Sequence, residues 1–217
     1  MSLFIVFEGP EGSGKTTQIH LLRDALRARG YSVVCTREPG GTPIGEQIRT
    51  LLHDPQNTEM LPITEALLYS ASRAQHVAQV IRPALERGQI VVSDRYAAST
   101  MAYQGYGHGL ELQMLQQITE LVTEGLTPDL TIYLDLEVTI GLKRKLKDSQ
   151  QGQGEWNRMD QLDIAFHRRV REGYLEMARQ EPSRWMIVDA TQSIQWIHEH
   201  ILERVESLLQ KRSLGVS

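Results

Sequence analysis

The sequence predicts an α/β fold, a five-stranded parallel sheet between two layers of helices. Three observations carry that prediction. Short apolar runs alternate with longer amphipathic segments along the 217 residues, the pattern of parallel strands joined by helical crossovers. Each short run is apolar at consecutive positions, as expected when helices cover both faces of a sheet. A glycine-rich turn, Gly9 to Gly14, separates the first run from the first amphipathic segment.

The elements follow in order. Leu3 to Glu8 reads as a strand, and Thr16 to Arg29 as a helix with Ile19, Leu22 and Leu26 on one face and Gly30 as its stop. Tyr31 to Thr36, β-branched and aromatic, is the second strand. The loop Glu38-Pro39-Gly40-Gly41 leads to Thr42 as an N-cap and Pro43 as the first position of a helix to about Leu52. Pro62 to Arg87 carries a long helical pattern, bent before Pro83. Gln89 to Ser93 is a third strand ending on Asp94, and Leu110 to Glu124 is helical. Leu130 to Asp135 and Trp185 to Asp189 complete the sheet, and Ser193 to Lys211 closes as an amphipathic helix. No internal repeat interrupts the pattern, and 1–217 reads as a single domain.

One compositional break occurs, the Gln/Gly-rich stretch from Lys147 to Asn157 between two helical patterns. It fits a disordered surface loop or a mobile lid. The neighbouring Arg158 favours a lid, taken as about 143–160.

Bulk properties exclude several functions. Lys plus Arg total 23 against 27 Asp plus Glu, a net charge of -4, so no basic surplus points to nucleic acid. The one cysteine, Cys35, permits neither an intramolecular disulfide nor a thiolate zinc cluster. A reducing cytoplasm is the expected compartment. The apolar start at Leu3 to Phe7 is too short for a signal peptide, lacks basic residues before it and runs into Glu8-Gly9. No run approaches the roughly 18 apolar residues that cross a bilayer.

Gly9-Pro10-Glu11-Gly12-Ser13-Gly14-Lys15-Thr16 matches G-x-x-x-x-G-K-[ST] between a strand and a helix, the context the motif requires. Glycines let backbone N–H groups wrap a phosphate where a Cβ would block approach. The helix that follows points its positive end at the same anion. Lys15 is placed to bridge β- and γ-phosphates and Thr16 to ligate Mg²⁺, with Thr17 behind it. The glycines do not fit G-x-G-x-x-G, so a dinucleotide site is disfavoured. The fold is therefore a three-layer P-loop nucleoside-triphosphatase fold.

No Asn-Lys-x-Asp tetrapeptide marks a guanine-specific GTPase. The third strand instead ends Val91-Val92-Ser93-Asp94-Arg95-Tyr96, an acid followed directly by a cation, rather than the acidic pair of motor ATPases. Asp94 suits a magnesium shell. Arg95 suits a second, acceptor phosphate, since a guanidinium makes two parallel bonds to phosphate oxygens.

The chain resembles thymidylate kinases. The resemblance rests on Val6-Phe7-Glu8-Gly9 leading into Glu11-Gly12-Ser13-Gly14-Lys15-Thr16-Thr17, then Thr36-Arg37-Glu38-Pro39-Gly40-Gly41-Thr42, Asp94-Arg95-Tyr96 and Ser99-Thr100-Met101-Ala102-Tyr103-Gln104-Gly105. Pro128 to Asp135 and Ile187-Val188-Asp189-Ala190 also fit, and the likeness runs from about residue 3 to 210. It implies transfer of the γ-phosphoryl of ATP, with Mg²⁺, to dTMP, giving dTDP for dTTP synthesis, in a homodimer. The expected interface is built from helices apolar on more than one face, such as Glu65 to Arg82. Other nucleoside or nucleoside-monophosphate kinases, and a non-catalytic nucleotide-binding module, remain alternatives on the motifs alone.

By the same resemblance Arg37 and Arg95 grip the dTMP phosphate, and Glu8 sits near the 3′-hydroxyl and the magnesium shell. Tyr69 stacks on thymine and Arg73, four residues on, donates to a base carbonyl. Phe is common at the stacking position, so Tyr69 is a mild departure. Thr100 and Gln104 read the base edge, and Tyr103 crowds out a 2′-hydroxyl. With Glu11 and no arginine in the loop, the resemblance to the bacterial type implies that the lid supplies one, and Arg158 is expected there. The run Lys143-Arg144-Lys145-Leu146-Lys147 fits either a solvated helix face or phosphate contact.

Overall fold

A computed structural model describes residues 2–152 and 157–215. It contains one sheet of five parallel strands in the order β2-β3-β1-β4-β5. The strands are β1 (Leu3–Glu8), β2 (Val33–Arg37), β3 (Ile90–Asp94), β4 (Leu130–Asp135) and β5 (Trp185–Asp189). All six residues of β1 are buried because β1 is central and both its faces are covered.

Alternate side chains of β1 build two cores. Leu3, Ile5 and Phe7 pack with Leu22 and Leu26 of α1 (Lys15–Ala28) and Ile201 and Val205 of α9 (Ile194–Ser213). Phe4 and Val6 face Val77, Ile81 and Tyr96 on the other side. A third cluster sets Tyr133 and Ala102 against Phe166, Val170 and Tyr174 of α8 (Ile164–Gln180).

The expected long helix from Pro62 is divided. It runs as α3 (Pro62–His76), widens into a π-helical turn at Val77–Ile81 and resumes as α4 (Arg82–Glu86). Pro83 cannot donate to the carbonyl four residues back, and a widened turn just before it accommodates that loss. A second π-helical segment, Met101–Gly107, extends α5 (Ala97–Thr100) before α6 (Leu112–Thr123). Thr42 caps α2 (Pro43–His53) by accepting from the Gly45 amide, as expected.

The Gln/Gly-rich break is partly helical. α7 (Val138–Gln150), capped by Glu137, continues through Asp148, Ser149 and Gln150. Residues 153–156 of the expected lid lie outside the described residues. A 3-10 turn at Arg158–Gln161 follows, closed by a reciprocal cap between Asn157 and Asp160.

Register fixes where the site forms. Phe7 pairs with Asp94, and Asp94 with Arg37, so β1, β3 and β2 end side by side. In an open parallel sheet the crevice beyond the carboxyl ends is where ligands bind. Among the described residues, no helix is long and apolar enough to cross a membrane.

Candidate active site

Beyond those strand ends lies a cavity of about 770 Å³. Its wall includes Pro10, Glu11, Gly12, Gly14, Lys15, Thr16 and Thr17 of the glycine-rich loop and α1. The same cavity is lined by Arg37, Tyr69, Arg73, Asp94, Arg95, Thr100, Tyr103 and Gln104. Most residues expected for donor and acceptor thus meet in one space, while Glu8, Gly9, Ser13 and Arg158 do not line it.

The loop is shaped by backbone that only glycine tolerates cheaply. Gly12 has φ +72°, and a Cβ there would come within 2.7 Å of the Gly141 carbonyl oxygen. Gly14 is the left-handed N-cap of α1 and supplies no capping side chain, so the helix start is open to an anion. The buried Lys15 ammonium donates to the carbonyls of Gly9 and Pro10 at 3.1 and 3.2 Å, reaching back over the loop. Burial and the nearby Arg95 push its pKa down. Thr16 is exposed to the cavity.

Arg95 sits at φ +70°, a strained conformation of the kind concentrated at functional sites. Its guanidinium donates to Glu11 at 2.7 Å, to the Tyr103 hydroxyl at 3.3 Å and to Ser99 at 3.3 Å. It also lies over the Tyr103 ring, 5.2 Å from the centroid. Burial raises the pKa of Glu11, but Lys15, Arg95 and Lys145 outweigh it and hold the carboxyl well below the usual range.

Glu8 stands behind this layer and does not line the cavity. It is fully buried, accepts from the Tyr96 amide (3.0 Å), Ser99 (2.7 Å) and Tyr174 (2.7 Å), and lies 3.7 Å from Arg95. Burial pushes its pKa up, against the pull of Arg95. Beside it, Asp94 Oδ1 is buried without a hydrogen-bond partner among the described residues.

Three more residues of the cavity wall, Arg37, Arg73 and Gln104, are held from behind. Arg37 Nη2 is shared between the two carboxylate oxygens of Glu46, each at 2.9 Å. Arg73, 1% exposed, donates to Glu38 (2.8 Å), Thr100 (2.9 Å) and the Tyr96 carbonyl (3.0 Å). Gln104 donates to Glu65 at 2.6 Å.

Arg158 is not among the side chains at the loop. It is buried against Glu65 and donates to the Leu52 carbonyl at 3.2 Å. Besides Lys15 and Arg95, two cations reach the loop from α7, in the run that sequence left open. Arg144 donates to the Gly12 carbonyl at 3.2 Å, and Lys145 pairs with Glu11 at 3.1 Å.

Sequence reasoning also passed over Glu38, Glu65, Ser99, Tyr174 and His76. Glu38 and Ser99 carried a signal, Glu38 between Arg37 and Pro39 and Ser99 at the start of the Ser99 to Gly105 motif, both already singled out. The others become visible when the topology brings α3 and α8 to the strand ends.

The thymidylate kinase family model matches residues 7–201. The chain belongs to the thymidylate kinase family. It is 52% identical to the thymidylate kinase of Roseiflexus castenholzii, across 96% of this chain and 95% of that protein. The Deinococcus radiodurans thymidylate kinase is 54% identical across 87% and 89%. The crystal structure of an Ehrlichia chaffeensis thymidylate kinase superposes with a TM-score of 0.75 at 33% identity, covering 94% of this chain and 98% of that one. As a member of this family the chain is a nucleotide phosphotransferase.

Proposed function

We propose that this chain is an ATP:dTMP phosphotransferase that converts dTMP to dTDP, on the way to dTTP for DNA replication. The observation carrying this reading is the single cavity that takes in both the phosphate-wrapping loop and the acceptor arginines. Phosphoryl transfer needs positioning and charge stabilisation more than covalent help, because the acceptor is already a phosphate anion. Lys15, the open start of α1 and the loop amides hold the ATP phosphates. Arg37 and Arg95 receive the dTMP phosphate, whose oxygen attacks the γ-phosphorus as the bond to ADP breaks.

Tyr69, Arg73, Thr100 and Gln104 face the base, and Tyr103 faces the sugar. Glu8 acts from beneath, orienting Arg95 through Ser99 and Tyr174, instead of touching the ligand. The donor set fits magnesium, which favours one or two protein oxygens with substrate phosphate and water completing its shell. Thr16 Oγ and Asp94, whose buried Oδ1 has no hydrogen-bond partner among the described residues, would supply those oxygens. When bound, magnesium neutralises charge that develops on the phosphates.

For Arg158 to act as the lid arginine it must exchange Glu65 for phosphate as residues 143–160 close. We further assign a single kinase domain over 1–217, a cytoplasmic location and a homodimer. The dimer reading is supported by Leu67 on α3 and Leu121 on the adjoining α6, which are 51% and 79% exposed.

The test is ADP release with Mg-ATP against dTMP, dUMP, dCMP, dGMP, UMP and thymidine. Strong turnover with dTMP, weaker with dUMP and negligible with thymidine is expected. Preference for thymidine or another monophosphate would keep the P-loop kinase reading and overturn the base-facing roles.

A further inference from the structure

We propose that His76 is a positioning residue for recognition of the acceptor's base: its buried imidazole fixes Glu38, and Glu38 in turn fixes the Arg73 guanidinium. The proposal rests on the reading above that Arg73 meets the base.

His76 is 0% exposed, at the last turn of α3. Its Nδ1 lies 3.0 Å from Glu38 Oε1, and its Nε2 lies 2.6 Å from the Thr36 hydroxyl. A carboxylate only accepts, so Nδ1 carries a proton and donates to Glu38, while Nε2 is hydrogen-bonded to the Thr36 hydroxyl. The second oxygen, Glu38 Oε2, accepts from Arg73 Nε at 2.8 Å. The two carboxylate oxygens are thus divided, one to the imidazole and one to the guanidinium. With Nε held there and the two Nη atoms donating to Thr100 and the Tyr96 carbonyl, the plane of Arg73 is determined.

The surroundings are shaped to admit this imidazole. Gly41 has φ +76°, and a Cβ there would meet His76 Cδ2 and Thr36 Oγ1, each at 2.8 Å. The Gly40 amide donates to Ser72 of α3 at 3.2 Å, and the Gly41 amide to Glu46 at 2.9 Å. Glu46 is the carboxylate that holds Arg37. The loop around Gly40 and Gly41 therefore ties the phosphate-facing Arg37 to the base-facing Arg73, and His76 fastens that loop to α3. A buried network of this kind is rigid only when each member is satisfied.

A merely structural histidine would affect stability and the fraction of active protein. A positioning histidine splits the kinetic constants and acts only through Arg73. The experiment is a double-mutant cycle of His76→Leu and Arg73→Ala, with KM for dTMP and for ATP measured for each variant, and with His76→Asn as the conservative rescue.

His76→Leu should raise KM for dTMP by about tenfold while KM for ATP stays within about twofold. His76→Asn, which keeps a donor near the Nδ1 position, should recover most of the loss. In the Arg73→Ala background, His76→Leu should add less than about twofold, because the two act as one unit. Equal shifts in both KM values, or an undiminished effect without Arg73, would overturn the proposal. If Arg73→Ala itself leaves KM for dTMP unchanged, the base-facing role of Arg73 fails and the proposal goes with it. If Arg73→Ala raises that KM and His76→Leu does not, only the proposal fails. Glu38→Gln run through the same cycle gives an independent reading should His76→Leu fail to fold.

Discussion

Arg95, the cation after β3, donates to Glu11 of the glycine-rich loop at 2.7 Å, so the arginine proposed for the acceptor phosphate rests on a carboxylate of the loop proposed for the donor. Glu11 is also paired with Lys145 at 3.1 Å, which makes it the counter-ion of a cationic site. Phosphates would take over that role on binding. Glu11→Gln should therefore lower Tm of the free protein and lose most of that deficit when ADP and dTMP are present, as ligand linkage requires. Thermal melts with and without ligands read this directly. The sign with pH follows from a depressed carboxyl pKa: the stabilisation is present above its ordinary value near 4.5 and is lost as pH falls through the folded value. A Tm deficit that nucleotides leave untouched would mean that Glu11 is not the stand-in for phosphate.

Arg158 and Lys145 divide the question of which cation serves the transferring phosphate. Arg158 is buried on Glu65, and removing one partner of a buried ion pair typically costs about 3–5 kcal/mol. Arg158→Ala should thus destabilise the fold, and Glu65→Gln in the same chain should recover part of the loss. Lys145→Ala leaves the half-exposed Glu11 its Arg95 partner but takes the 3.6 Å partner from the buried Asp160, and should lower Tm less than Arg158→Ala does. If Arg158 swings to the phosphates, its alanine variant loses about 10²-fold in kcat with dTMP binding preserved. An intact kcat in that variant, with a collapsed one in Lys145→Ala, assigns the charge to α7.

The sheet was legible because its strands are short, largely apolar runs bounded by turn residues, with β1, β3 and β4 buried nearly throughout. β4 and β5 fall at Leu130–Asp135 and Trp185–Asp189, the ranges their composition predicts. The cradle was legible because phosphate wrapping demands glycines at fixed spacing. Three features were not. The π-helical turn at Val77–Ile81 keeps helical composition, so no periodicity marks it, and Met101–Gly107, with glycine at 105 and 107, shows no helical pattern. Arg158 follows a compositional break, and sequence cannot say that a carboxylate ninety-three residues away, Glu65, takes its charge. His76 reads as an ordinary residue of an amphipathic helix until β2 brings Thr36 and Glu38 against it.

Gly12 tests whether the cradle is backbone-built. Alanine there would be strained at φ +72°, and its Cβ would stand 2.7 Å from the Gly141 carbonyl oxygen, a backbone atom that cannot swing aside. Gly12→Ala should raise KM for ATP by about tenfold or more, by displacing the loop amides from the phosphates. Titration calorimetry with dTMP alone should stay near normal, since Arg37, Arg73 and Tyr69 are carried on other elements. Unchanged ATP binding would show that the amides contribute little and that Lys15 holds the phosphates unaided.

His53 gives the fold an acid limit. Its Nδ1 is buried without a hydrogen-bond partner among the described residues, and burial, with Arg49 adding to it, pushes its pKa down to about 4. A histidine whose folded pKa is depressed resists a proton that the unfolded chain accepts near 6.5. Stability is then fully present above pH 6.5 and declines as pH falls towards 4, because the unfolded state binds more protons across that window. The linkage amounts to about 2 kcal/mol between pH 7.5 and 5. His53→Gln removes the titrating group, so its Tm should fall less than that of the parent chain over that interval. Parallel pH profiles for the two proteins would mean that His53 is not held neutral by its surroundings.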